Sequence, residues 1–211
     1  PEALLERLTR ERADAQGVLE TALDELESCE ILETMREQLE AIRDRAQRDA
    51  PPLPRPLESG WVRSALRNAV KELLSYSKYV ARPECVDELH EMRIAAKKLR
   101  YGLEPFVPYQ KEDLKDALAN AKKLQGLLGE IHDCDVWVQS LRDFLKRRYP
   151  QPTTSEEGGD PGQEETIRRG IERLAANRRE ERHRLYRKAV KLWRRLVEDE
   201  FWKGLLKRLR R

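Results

Sequence analysis

The sequence predicts an all-α protein built as helical bundles, and three observations carry that prediction. Apolar residues recur with a 3.6-residue period almost throughout, while no segment alternates with period two over more than a few residues. Charged residues make up 38% of the chain and aromatics only 6%, a mixture rich in Ala, Leu, Glu, Lys and Arg that favours helix. The interruptions are proline- and glycine-rich, as expected of connectors between helices.

The helical period predicts elements at 2–27, 30–48, 59–80, 84–104, 111–131, 134–148, 165–198 and 200–209. The first two share an apolar stripe that includes Leu4, Leu5, Leu8, Leu19, Leu23 and Leu26. They end before QRDAPPLPRPLESG, whose four prolines remove backbone donors and restrict their neighbours, giving an extended connector. Pro105 and Pro108 stop the helix at 84–104. Asp133 is placed to cap a helix beginning DVWVQSLRDFL. PQPTTSEEGGDPGQEE, ahead of the helix at 165–198, is acidic and without apolar anchors, and reads as a disordered loop.

The 211 residues suffice for one large domain or two small ones with a sizeable core. No run of 18 apolar residues exists, so no membrane span is expected, and PEALLERLTR is amphipathic and acidic rather than a signal peptide. Cys29, Cys85 and Cys134 stand far apart with no CxxC spacing, which fits reduced thiols in a cytoplasmic protein.

The net charge of +3 conceals an asymmetry. Residues 1–50 carry 7 Lys+Arg and 14 Asp+Glu, a net of −7, whereas residues 165–211 carry 17 and 7, a net of +10. The same two ends are related in pattern. Laid on one another at an offset of 166, LERLTRERADAQGVLETALDEL and IERLAANRREERHRLYRKAVKL share Glu6/Glu172, Arg7/Arg173, Leu8/Leu174, Arg12/Arg178, Leu19/Leu185 and Leu26/Leu192. An internal helical repeat is the reading.

HEMRIAAKKLRYGLEP, residues 90–105, is the most unusual stretch. On a helical wheel Met92, Ala95, Ala96, Leu99, Leu103 and Phe106 form a core stripe. His90, Arg93, Lys97, Arg100 and Tyr101 share the opposite face, with Lys98 to one side, and no carboxylate interrupts them before Glu104. A solvated basic face is the ordinary explanation. Directional hydrogen-bonding groups at both ends of the row make it better suited to a polyanion.

In LKDALANAKKLQGLLGEIHDCDVWVQSL, Leu114, Ala117, Leu118, Ala121, Leu124, Leu128 and Ile131 form the core stripe, with Lys115, Lys122, Gly126, Gly129 and Asp133 on an adjoining face. Two glycines on one helix face suggest close approach by a helix or ligand. His132 and Asp133 read as a structural junction; a divalent-metal site and a device for orienting cations toward an anion are the alternatives.

HEMRIAAKKLRYGLEPF followed by AKKLQGLLGEIHDCDVW resembles the conserved histidine α-helical domain, the CHAD domain, in the order and spacing of His90, Arg93, Lys97, Leu99, Arg100, Tyr101, Lys122, Leu124, Gln125, Gly129, His132 and Asp133. The resemblance implies two copies of a helical bundle related by a pseudo-twofold, around a basic channel that binds inorganic polyphosphate without catalysis. It also implies an association with triphosphate-tunnel domains or with polyphosphate granules. The family shows its basic histidine helix twice and this chain shows it once, so the expected architecture is a two-repeat one with the first repeat incomplete. Residues 1–48 are then the closing helices of a first repeat, 49–60 a Pro-rich connector, 61–148 the basic histidine-containing helices of the second, 149–165 a disordered acidic loop, and 166–211 the basic closing helices.

The expected ligand is therefore long-chain polyphosphate, held by His90, Arg93, Lys97, Lys98, Arg100, Tyr101, Lys115 and Lys122, with Arg178, Arg182, Arg184 and Lys188 on an opposing wall. No catalytic residue, metal or cofactor is expected. A metal-dependent phosphohydrolase using His90, His132, Asp133 and Asp135 is one alternative, though three histidines are few for it. Nucleic-acid binding by the C-terminal basic helix is another, with only Tyr186 and Trp193 interleaved for stacking. The unsupported N-terminal stripe makes packing on the 59–80 helix, or homo-oligomerisation, the expected compensation.

Overall fold

The structure, a computed structural model, describes residues 2–49, 59–109, 113–148 and 161–210. It contains α1 (Glu2–Ser28), α2 (Ile31–Asp49), α3 (Gly60–Ser75), α4 (Val86–Leu103), α5 (Asp113–Arg148), α6 (Pro161–Glu198) and α7 (Phe201–Arg208). Short 3-10 turns follow α3 (Tyr76–Lys78) and α4 (Glu104–Tyr109). Among the described residues there is no strand, and the protein is all-α.

The chain divides into two compact units, residues 1–53 and 54–211. The first is the α1–α2 hairpin. Its turn uses Glu30 in the left-handed region, φ 52°, and none of its described side chains is buried. The expected packing of this stripe concerns the two units jointly and remains an expectation.

The second unit has the core. Val62, Leu66, Val70 and Leu73 of α3 meet Leu89, Met92, Ala95, Ala96, Leu99 and Leu103 of α4 in one continuous apolar cluster. Leu114, Ala117, Ala121, Leu124, Leu128 and Ile131 of α5 join it, as do Leu185, Ala189, Leu192, Trp193 and Leu196 of α6. These are the stripes that the helical period predicts on α4 and α5, with Leu118 and Phe106 only partly buried against them. α4 packs between α3 and α5, and α5 between α4 and α6. α6 reaches the turn between α3 and α4, where the Tyr186 hydroxyl donates to the Val80 carbonyl at 2.7 Å. α7 seals one end: Trp202 stacks edge-on against Phe201, lies 6.3 Å from Trp193, and the Arg67 guanidinium donates to the Leu209 carbonyl at 3.2 Å. Gly102 lets α3 and α4 approach closely, since a methyl there would sit 3.3 Å from Leu66.

Two boundaries differ from expectation. α5 is unbroken from Asp113 to Arg148, so no helix begins after Asp133 and Asp133 caps nothing. The physical reason is continuity of burial: Ile131, Cys134, Val138, Leu141 and Phe144 extend one stripe through the expected break. α6 starts at Pro161, inside the stretch read as loop. A proline at the first helical position loses no hydrogen bond and arrives with a helical φ. The rest of that loop, 149–160, and most of the proline-rich connector, 50–58, lie outside the described residues. The three cysteines are free thiols.

Candidate anion-binding face

α4 presents His90, Arg93, Lys97 and Arg100 at spacings of three and four residues, so they rise along one side while Met92, Ala96, Leu99 and Leu103 anchor the other. Where α4 crosses α5, Arg93 lies across Gly129: a methyl at Gly129 would stand 3.6 Å from Arg93 Nε, an ordinary contact. A larger side chain would push the guanidinium away. Gly126 faces open space, so the expectation of close approach holds for one of the two glycines.

Among the described residues, Arg93 Nε and Arg100 Nε are both buried without a hydrogen-bond partner. Such donors are costly to leave unmet and are strong hydrogen-bonders when an anion arrives. Arg100 Nε is 3.5 Å from Glu104 Oε1 without the alignment of a hydrogen bond, and Lys122 Nζ is 3.2 Å from the same oxygen. One carboxylate thus serves a cation on each helix and cannot neutralise both. The Arg100 guanidinium also lies 4.4 Å from the centre of the half-exposed Tyr101 ring, and Lys97 Nζ lies 5.7 Å from it.

Next to Arg93 along α4, His90 Nδ1 and His132 Nδ1 are 3.1 Å apart, with ring centres 4.2 Å apart. One nitrogen must donate and the other accept, so at least one ring is neutral while this contact holds. Burial pushes the His132 imidazole below its ordinary range, and His90 and Arg93 push it further, against the pull of Asp133 and Asp135. His132 thus pairs with His90 across α4 and α5, while Asp133 stands exposed.

Other predicted residues divide sharply. Lys98 turns toward α3 and pairs with Glu72 at 2.7 Å, which raises its affinity for the proton and takes it off the row. Lys115 is exposed, with no ion pair among the described residues. Arg182 is a correction to the expected wall. It is 8% exposed, its Nε donates to Asp135 Oδ1 at 2.5 Å and its Nη2 to the Pro83 carbonyl at 2.9 Å. Burial between α5 and α6 demands such a partner for a fixed cation, so Arg182 braces the bundle. Arg184 pairs in two places with Glu181 on its own helix. Among the described residues, Arg178 Nε is buried without a partner while its Nη2 donates to Asn177, and Lys188 is exposed on the groove between α5 and α6.

Sequence reasoning missed the contact between the two histidines and the Asp135–Arg182 pair. Both join positions more than forty residues apart, and no local spacing encodes them. Among the described residues no three of His, Cys, Asp and Glu are grouped so as to hold a metal ion. No helix among them is long and apolar enough to cross a membrane.

Residues 1–142 match the family model of the CHAD domain. The match takes in α1 to α4 and most of α5, including both motif blocks, and stops short of α6 and α7. No curated protein and no solved structure matches the chain.

Proposed function

The chain belongs to the CHAD-domain family, and from that premise we propose that it binds inorganic polyphosphate along the α4–α5 face and catalyses nothing itself. The observation that carries this reading is the pair of buried Nε donors of Arg93 and Arg100, which make no hydrogen bond among the described residues, in line with Lys97 and with the single Glu104 carboxylate divided between Arg100 and Lys122. Phosphate oxygens supply the missing acceptors, and guanidinium groups bind them with defined geometry. Polyphosphate brings roughly one charge per phosphate, so release of its counterions supplies much of the affinity. Tyr101 and His90 flank the row, and Lys115, Lys122, Arg178 and Lys188 are the further cations of this reading. A cytoplasmic setting, with recruitment to polyphosphate granules, is the cellular counterpart of this reading.

The test is titration with long-chain polyphosphate beside single-stranded DNA of equal charge, at two salt concentrations. Polyphosphate is expected to bind more tightly, with affinity falling as salt rises. Arg93→Glu or Lys97→Glu is expected to weaken binding at least about tenfold while helicity is kept, since a lost charge-assisted hydrogen bond alone costs roughly 1.5–3 kcal/mol. Equal affinity for DNA, or binding indifferent to both reversals, overturns the proposal. Phosphate release that needs added Mg²⁺ or Mn²⁺ and disappears in Asp133→Ala overturns its non-catalytic part.

A further inference from the structure

Away from the α4 row, α5 and α6 enclose an open groove of about 960 Å³. Its rim holds Lys123 from α5 and Arg187, Lys188, Lys191, Arg194 and Arg195 from α6, against the single acid Glu198. All six cations are exposed, and none makes a hydrogen bond or ion pair among the described residues. Elsewhere on α6, Arg169, Arg182 and Arg184 are each satisfied by a carboxylate. Lys123 apart, the rim lies beyond the part of the chain that matches the family.

The floor differs in chemistry from the rim. Leu127 and Val190 are half-buried there, above buried Leu192. A bare phosphate polymer has nothing apolar to lay on such a floor. Nucleic acid would need free rings for its bases, but the Tyr186 hydroxyl is tied to Val80 with its ring half-buried, and Trp193 is buried. An apolar trough between two helices, edged by unpaired cations, matches one recognition mode: an amphipathic helix laid in a groove, apolar face down and acidic flanks toward the rim.

We propose that the α5–α6 groove is a docking site for an acidic amphipathic helix of a partner protein. The groove contains none of His90, Arg93, Lys97 and Arg100, and Lys188 is the one cation it shares with the polyphosphate reading.

The probe is a synthetic peptide of about 18 residues, long enough to form helix, with Leu at helical spacing on one face and Glu on the other. Its scrambled isomer has the same charge and no stripe. Binding to the full chain is followed by fluorescence anisotropy. The striped peptide is expected to bind at least about tenfold more tightly than the scrambled one. Lys191→Glu with Arg194→Glu, both on the surface, is expected to abolish that binding without altering the melting temperature. Arg93→Glu is expected to leave it within about twofold. Equal binding of the two peptides reduces the groove to generic attraction and overturns the proposal. So does an equal loss in Arg93→Glu, or full displacement of the peptide by polyphosphate whose own binding fails in the same double variant. Self-association of the free chain through this groove, with the peptide unable to compete, replaces the external partner with a second copy and also overturns it.

Discussion

α1 and α6 carry the same helical pattern and have opposite fates. At aligned positions, Leu19 is 58% exposed and Leu185 2%, while Leu26 is 39% exposed and Leu192 6%. Gln16 bonds Glu20 on an open surface, whereas the aligned Arg182 is buried and held by Asp135 from another helix. The difference teaches that a periodic stripe fixes which face is apolar and says nothing about what covers it. α6 lies against α5 along the bundle and closes a core with α3 and α4. Leu5, Leu19, Leu23 and Leu26 of α1 stand open, while Leu4 and Leu8 are half-buried.

The largest expected effect separates the two stripes directly. Leu185→Ala is expected to cost about 3 kcal/mol in urea unfolding, from lost burial and the cavity left behind. Leu19→Ala should stay within about 0.5 kcal/mol, as surface substitutions do. If the two cost the same, α1 is covered in solution and the comparison fails.

Slightly smaller is the effect at the aligned polar pair. Arg182→Gln strands Asp135 and is expected to cost about 2–3 kcal/mol, the range for an abandoned, partly buried charged partner. Gln16→Ala should be nearly silent. A chevron or equilibrium melt that ranks them the other way would show that the ion pair between α5 and α6 adds nothing to the bundle.

A pH titration sharpens the contrast further, because all three histidines lie in the second unit. His132 has its proton affinity lowered from an ordinary 6.5 by burial, His90 and Arg93. Below about that pH the unfolded chain takes up a proton that the folded one resists, so stability is retained above it and declines as pH falls. His132→Gln is expected to flatten the decline between pH 6.5 and the acid range, measured by thermal melts at several pH values. An unchanged slope would show that the pair of imidazoles accepts its proton without cost.

The smallest effect concerns the turns. Glu30 ends α1 and Glu200 ends α6 with φ of 52° and 51°, a conformation that disfavours any residue with a Cβ. Glycine at either position should stabilise by up to about 1 kcal/mol. Differential scanning calorimetry should register Glu200→Gly in the main transition, and Glu30→Gly only in the hairpin. Destabilisation by Glu200→Gly would mean that its contact with Lys203 outweighs the strain.

Much of this protein is local information. Helix positions, the buried stripes of α4 and α5, the stop at Pro105 and the row formed by His90, Arg93, Lys97 and Arg100 follow from residues within a few turns of one another, where the 3.6-residue period sets the geometry. Even the two boundary errors are local in kind: Asp133 and Pro161 each permit a helix start, and burial or φ chose between the options. The contacts between helices are another matter. That Arg182 meets Asp135, that His132 meets His90 and that Lys98 leaves the row for Glu72 all depend on which helix faces which. A lysine at the edge of a stripe looks the same whether it ends beside a carboxylate or at an open groove. Only the packing of α3, α4, α5 and α6 decided which cations are neutralised and which stay free, because a charge's partner is set by distances of a few ångströms across the bundle, and sequence spacing reaches no further than one helix.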